Sequence, residues 1–414
     1  MCAYTTEQKF FHSLMNLDES KVEPYQVPNP LIALDGTHIT TPDQWIAKRR
    51  PEVLHLFEEY MYGRKLPDTP IYVLEMERSS DAYEGKATRI QTQIRVAGQT
   101  LHVVLYLPNQ AKQPVPCFLG LNFTGNHAAF DDPAIPISSR WVSDEGHKGV
   151  INCRSTEESR GTASSRWPIH AILGRGYGVA TVHYADIEPD PLDGSGYREG
   201  ARPYLLGIPS NEARNADDAG SIGTWAWGLS RIMDYLVTVP EINPQQICLT
   251  GHSRLGKTAL WAAACDPRFA LVISNNSGCG GASFSRRNWG ETPYILSHIR
   301  PHWFCKNCFD RSHDIHSFPI DQHMLIGLIA PRPVFVSSAE KDWGADFKGE
   351  FVSARHARPV YELFGKKGLE IDEMPPLNQP VFADVGYWIR SGGHDITPAD
   401  WEVHLDFADL HLKK

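Results

Sequence analysis

Residues 246–260, QICLTGHSRLGKTAL, run from an apolar strand through a glycine turn into a helix, and two chemistries fit that shape. Gly251, Gly256, Lys257 and Thr258 match G-x-x-x-x-G-K-[ST], a loop whose backbone amides cradle phosphates. Alternatively, Ser253 stands at the tip of a strand–turn–helix elbow, which presents a nucleophile at a sheet edge. The phosphate reading needs an acidic residue ending a neighbouring strand to hold Mg²⁺. The next strand runs ALVISNN into Ser277 and Gly278 with no carboxylate. The elbow departs from the usual G-x-S-x-G, because position 255 is Leu.

A serine nucleophile needs an acid and then a histidine at later strand ends. The apolar run 333–338 is followed by Ala339-Glu340-Lys341-Asp342, and the run 385–390 by Ser391-Gly392-Gly393-His394. Asp342 lies 89 residues beyond Ser253, and His394 lies 52 beyond Asp342. In these roles His394 takes the Ser253 proton and returns it to the leaving alcohol, while Asp342 fixes the imidazole tautomer and balances its positive form. Glu340 and Asp346 are nearby carboxylates that could carry the acid role instead. The N-terminus of the helix after Ser253 offers unpaired amides to a developing oxyanion, and Arg254 adds a charged donor. A catalytically silent carbohydrate-binding module would keep the same turn, with Ser253 as a capping residue.

Such a set works only if strands alternate with helices. Residues 42–64 predict a helix that Pro51 kinks or splits. Runs 71–77, 89–96 and 101–107 alternate as antiparallel strands near one sheet edge, and 117–122 (CFLGLN) reads as a strand buried on both faces. Beyond 178–183 (GVATVH), strands at 246–250, 270–274, 333–338 and 385–390 alternate with helices at 224–238, 256–264, 320–330, 349–364 and 398–410. That alternation predicts an α/β fold, a mostly parallel central sheet covered on both faces. Ser253, Asp342 and His394 then meet at one edge. Residues 123–167 and 185–215 read as long loops, the first a cover over a site. One domain over 1–414 is the economical reading, with 1–100 as an N-terminal helix and edge-strand segment.

The 414 residues are 42% apolar and 21% charged, enough for a large core. The net charge of −9 and the lack of a basic stripe argue against nucleic acid as partner. No apolar run approaches the ~18 residues that span a bilayer, so no membrane partner is expected. No secretory signal is visible at the N-terminus, and eight cysteines are too sparse for a disulfide scaffold. Cys305-x-x-Cys308 with His313 and His316 has a metal-like look but an unusual spacing, so free thiols or a local disulfide are expected and no metal.

With Gly251, Ser253, Arg254, Gly256 and Lys257, the elbow resembles the G-x-S-R-x-G-K motif of glucuronoyl esterases, carbohydrate esterase family 15. Similar segments include Phe123–His127, Arg166–Pro168, Gly176–Val182, Asp186–Asp190, Pro301–Cys305 and Asp321–Leu325, so the likeness spans roughly residues 100–410. It implies an α/β-hydrolase fold, a three-layer sandwich with long inserted loops. It also implies hydrolysis of esters between (4-O-methyl-)glucuronoyl groups of xylan and lignin alcohols, with no cofactor. Carried over by position, Ser253 is the nucleophile, Arg254 the oxyanion-stabilising arginine and His394 the base. Lys257 and Glu291 become sugar-hydroxyl contacts, and Trp343 a further sugar contact. Many members place the triad acid in a segment like Asn275-Asn276-Ser277-Gly278, but position 276 is Asn, and Asp342 matches the aspartate other members use. The family's tryptophan lies two residues beyond that aspartate, whereas Trp343 is one beyond and position 344 is Gly. His252 before the nucleophile replaces the cysteine usual in fungal members, which points to the bacterial type. A secreted or periplasmic monomer is the corresponding expectation. A carboxylesterase for another sugar or aryl ester is the alternative within the same chemistry.

Overall fold

Two-residue periodicity and a tight turn start the sheet. Ala97 and Gly98 both adopt positive φ, 46° and 76°, the conformation a two-residue hairpin turn requires. They join β2 (Ala87–Val96) to β3 (Gln99–Pro108), which pair antiparallel over their whole length, with β1 (Tyr72–Asp81) antiparallel outside β2. The computed structural model describes residues 5–144, 146–207 and 215–413. Its remaining strands are β4 (Val115–Asn122), a two-residue hairpin of β5 (Val150–Ile151) and β6 (Arg154–Ser155), β7 (Gly178–His183), β8 (Ile242–His252), β9 (Leu271–Asn275), β10 (Val334–Ala339) and β11 (Val385–Arg390). Apart from that hairpin they form one nine-stranded sheet in the order β1-β2-β3-β7-β4-β8-β9-β10-β11. From β7 to β11 all pairings are parallel. Strands β7, β9, β10 and β11 are buried at every residue, as parallel strands covered on both faces must be.

Helices cover both faces. On one lie α2 (Ser221–Leu236) and α3 (Arg254–Cys265), packed against each other in a core with Trp225, Ile232 and Leu260. On the other lies α6 (Pro398–Leu412), whose Trp401 meets Phe118 of β4 and Trp167. This is the three-layer arrangement of an α/β-hydrolase fold. Segment 123–167 is largely irregular, yet Phe130, Ile135 and Val142 are buried, so it is packed onto the body rather than loose. Segment 185–215 contains the end of the short helix Tyr184–Ile187 and the helical turns Ser195–Glu199 and Arg202–Leu206, and its residues 208–214 lie outside the described residues.

Three helical expectations change. The chain is helical from Pro42 to Tyr62 without a split, because its bonding widens to i→i+5 over Trp45–Arg49, just ahead of Pro51. That wider turn absorbs the proline's missing donor and its clash with the preceding turn. The expected helix 349–364 is two helices, α5 (Phe347–His356) and Arg358–Leu363, interrupted at Ala357 ahead of Pro359. Over 320–330 only α4 (Gln322–Gly327) is α-helical, with Pro331 closing the segment.

Candidate active site

β8 ends at His252 and α3 begins at Arg254, leaving Ser253 alone to make the turn with φ 57° and ψ −132°. A non-glycine residue avoids that region unless its surroundings compel it. Here the Ser253 amide donates to Asn275 O at 2.9 Å, and its carbonyl accepts from the amides of Gly256 and Lys257 at 2.8 and 3.2 Å. A Cβ on Gly251 would stand 2.1 Å from the Leu255 carbonyl, so that close approach is what needs a glycine. The Leu255 side chain itself points into the core. A glycine two residues beyond the serine is therefore unnecessary.

Parallel strand ends bring the other two groups to Ser253. Asp342 follows β10 and His394 follows β11. His394 Nδ1 lies 2.6 Å from Asp342 Oδ2, and Nε2 lies 2.9 Å from Ser253 Oγ. With its Nδ1–H donated to the carboxylate, the imidazole presents a free electron pair on Nε2 to the serine hydroxyl. Asn276 Nδ2 donates to the same Asp342 Oδ2 at 2.7 Å. His252, whose ring lies 4.6 Å from that of His394, is buried, and burial together with the neighbouring His394 holds its pKa well down. It therefore stays neutral and adds no like charge beside the base.

The loop carrying His394 is clamped by Arg390. Its guanidinium donates to the carbonyls of Ser391, Gly393 and Asp395 at 3.0, 2.9 and 2.6 Å. Its Nε donates to both oxygens of Asp400, at 3.1 and 2.8 Å. Asp400 also accepts from Asn275 Nδ2 at 3.1 Å, so one buried network ties the base loop to the strand after the nucleophile.

Arg254 is 21% exposed and lies between the rings of Phe123 and Trp303, 5.4 and 5.2 Å from their centroids. Its Nη1 donates to buried Asp190 Oδ2. Burial would push the Asp190 carboxyl up, but Arg254, His302 and Arg300 hold it below the usual carboxylate range. Lys257 is buried, which lowers its pKa against the opposing pull of Glu291. Its ammonium donates to Ser277 O. Ser253, Arg254, Lys257, Glu291, Asp342 and His394 all line one cavity of about 330 Å³. Trp343 is not among its lining residues. The residue is 49% exposed with its ring against Phe347, its carbonyl accepts from Trp289 Nε1 at 2.8 Å, and Gly344 lines the cavity in its place.

The structure adds residues that sequence reasoning did not assign. Arg300 and Trp303 line the cavity, and the N-terminal segment contributes His12 and Met15 as a wall. That wall is held by α1 (Thr6–His12), where Phe11 stacks on His298, 3.9 Å between centroids, and Gln8 donates to Leu192 O and Ile299 O. Arg390 had one visible signal, a charge ending an otherwise apolar strand. Asp190 and His302, 112 residues apart, had none that local spacing could reveal.

The phosphate-loop alternative loses its lysine, since Lys257 is turned inward onto Ser277 O rather than toward an open loop. Cys305 and Cys308 are buried free thiols, not a local disulfide. Among the described residues no three His, Cys, Asp or Glu side chains converge as metal ligands.

Comparison with known proteins decides the family. A carbohydrate esterase from an unknown prokaryotic organism is 43% identical over 402 residues, covering 96% of this chain and 92% of its own. A solved promiscuous family 15 esterase from a marine bacterial metagenome is 41% identical, with TM-score 0.88 over 96% of this chain and 100% of that one. The chain belongs to carbohydrate esterase family 15. A family model described as glucuronyl esterase, fungi, matches residues 213–365. The solved glucuronoyl esterase from Solibacter usitatus is 42% identical, with TM-score 0.87 over 95% of this chain and 100% of that one. Family membership and the parallel sheet agree on an α/β-hydrolase that cleaves carboxylic esters.

Proposed function

We propose that this chain is a glucuronoyl esterase that cleaves the ester between a (4-O-methyl-)glucuronoyl group of xylan and a lignin alcohol, through an acyl-enzyme on Ser253. The observation that carries the proposal is the unbroken line Asp342–His394–Ser253 opening onto the cavity walled by Arg254, Lys257 and Glu291. Ser253 Oγ attacks the ester carbonyl as its proton passes to His394 Nε2. Negative charge develops on the carbonyl oxygen, where the first amides of α3 and the Arg254 guanidinium are the available donors. The C–O bond to the alcohol breaks as His394 returns the proton to the leaving oxygen. A water molecule, deprotonated by the same imidazole, then releases glucuronate from Ser253.

The ester substrate carries no charge at the reacting carboxyl, but the tetrahedral intermediate and the product are anions. In a chain of net charge −9, their recognition must be local. Arg254 and Arg300 supply it, while Lys257 and Glu291 form a donor–acceptor pair suited to sugar hydroxyls. The same proposal includes Trp343 as a contact at the cavity rim for substrate beyond the reacting sugar. It also includes one catalytic domain acting outside the cytoplasm as a monomer, supported by a site that one chain completes. No helix among the described residues is long and apolar enough to cross a membrane.

The test is hydrolysis of benzyl D-glucuronate by wild type and by Ser253→Ala. Turnover by wild type, abolished in the alanine variant, is expected. Absence of turnover, or its survival without Ser253, overturns the proposal.

A further inference from the structure

We propose that Asp190 is a positioning residue for this esterase, fixing the Arg254 guanidinium in the cavity that Ser253 lines so that it meets the oxyanion without rearranging. The inference rests on the proposed function and extends it to a residue that never touches substrate. Asp190 follows β7 after the short helix Tyr184–Ile187, and none of its side chain reaches solvent. Each of its oxygens is occupied. Oδ2 accepts from Arg254 Nη1, while Oδ1 accepts from His302 Nε2 at 2.5 Å and Trp303 Nε1 at 2.8 Å.

This arrangement restricts an otherwise flexible side chain in two ways. Phe123 and Trp303 confine the guanidinium between two rings, and Asp190 tethers its inner end. Trp303 does both jobs, since its ring faces Arg254 while its indole N–H holds Asp190. A planar guanidinium held by Asp190 keeps its N–H groups in a set direction. A lysine ammonium, three donors on one freely rotating nitrogen, would give the oxyanion donor no such fixed direction. The carboxylate also has an electrostatic cost, because a buried anion beside Arg254 weakens the field felt by the oxyanion. A device kept for charge alone would leave Asp190 out, so its use here is orientation.

Removing one oxyanion donor typically costs about 100–1000-fold in rate, and misplacing it by about 1 Å costs about 100-fold. Asp190→Asn is therefore expected to lower kcat for benzyl D-glucuronate by roughly 10- to 100-fold, with KM within about twofold and the pH–rate profile unchanged in shape. In an Arg254→Ala background the same substitution is expected to cost less than about twofold, because the group it positions is gone. An unchanged kcat, or an equal loss in both backgrounds, overturns the inference. If Asp190→Asn does not fold, Trp303→Phe removes one tether on Asp190 and keeps a ring under Arg254. It is expected to lose about threefold to tenfold in kcat, again only when Arg254 is present. A loss independent of Arg254, or none, refutes the role. Covalent labelling of Ser253 by a fluorophosphonate passes through a similar anionic centre and needs no sugar. Should benzyl D-glucuronate not be turned over, the same variants read by labelling rate decide the Asp190 role separately from the substrate assignment.

Discussion

Glu350→Gln is expected to make the protein more heat-stable at alkaline pH and to leave it almost unchanged near pH 5. Glu350 lies on α5, fully buried beneath the turn that follows β9. Its Oε1 accepts from the Gly278 amide at 2.9 Å and Ser277 Oγ at 3.3 Å, and its Oε2 shares a hydrogen bond with Ser338 Oγ at 2.5 Å. Burial, added to by the nearby Asp342 carboxylate, pushes its pKa from 4.5 up to about 8. At neutral pH the folded protein therefore keeps this carboxyl protonated while the unfolded chain ionises it. The folded state binds more protons, so stability falls as pH rises, beginning near 4.5 and ending near 8. At 1.36 kcal/mol per pH unit over that interval, the full loss is roughly 5 kcal/mol. For a chain of this length, at about 2.1 cal/mol/K per residue, that corresponds to about 5 °C in Tm. Glutamine cannot ionise, and its amide can still accept from Gly278 while donating to Ser338. Differential scanning calorimetry of both proteins from pH 5 to pH 9 gives the comparison. The Tm advantage of the variant should grow from near zero at pH 5 to several degrees at pH 8–9. A difference that is flat or shrinks with rising pH would refute the reasoning.

Asp342→Asn should lower kcat for benzyl D-glucuronate by roughly 10⁴-fold through loss of the correct His394 tautomer. Glu340→Gln, outside the relay, should stay within about twofold, and the opposite ranking would move the acid. Lys257→Met should raise KM for glucuronate esters by roughly tenfold or more, the worth of a hydrogen bond from a charged donor, while kcat falls less. Steady-state kinetics on the same ester measures both. Arg390→Met leaves Asp400 buried and unpaired and should cost roughly 3–5 kcal/mol in denaturant unfolding, with activity lost in parallel as the His394 loop is released.

Ser253, Asp342 and His394 are legible together because each follows an apolar run ending in small or polar residues, and parallel strands deliver such ends to one edge. Arg254 is legible only as a neighbour in sequence. What directs it is assembled from Phe123, Asp190, His302 and Trp303, which share no periodicity and meet only when the segments after β4, β7 and β9 pack together. Asn276 shows the same limit from another side. Its type in the sequence removes a candidate acid, and only the fold turns its amide onto the acid that remains. The N-terminal wall of His12 and Met15 has no signal because α1 is short and partly exposed, and its place depends on Phe11 meeting His298. Helix ends are misjudged where proline acts through context. At Pro51 a widened turn absorbs the missing donor, whereas before Pro359 the helix gives way.

The central claim is an acyl-enzyme formed on Ser253 from a glucuronate ester. Wild-type protein mixed with benzyl D-glucuronate, quenched in acid within the first turnovers and analysed by intact-mass and peptide mass spectrometry, tests it directly. A glucuronoyl adduct confined to the peptide carrying Ser253, and absent from Ser253→Ala, is the predicted result. Rapid turnover with an adduct on another residue, or an adduct that persists in Ser253→Ala, would contradict the account.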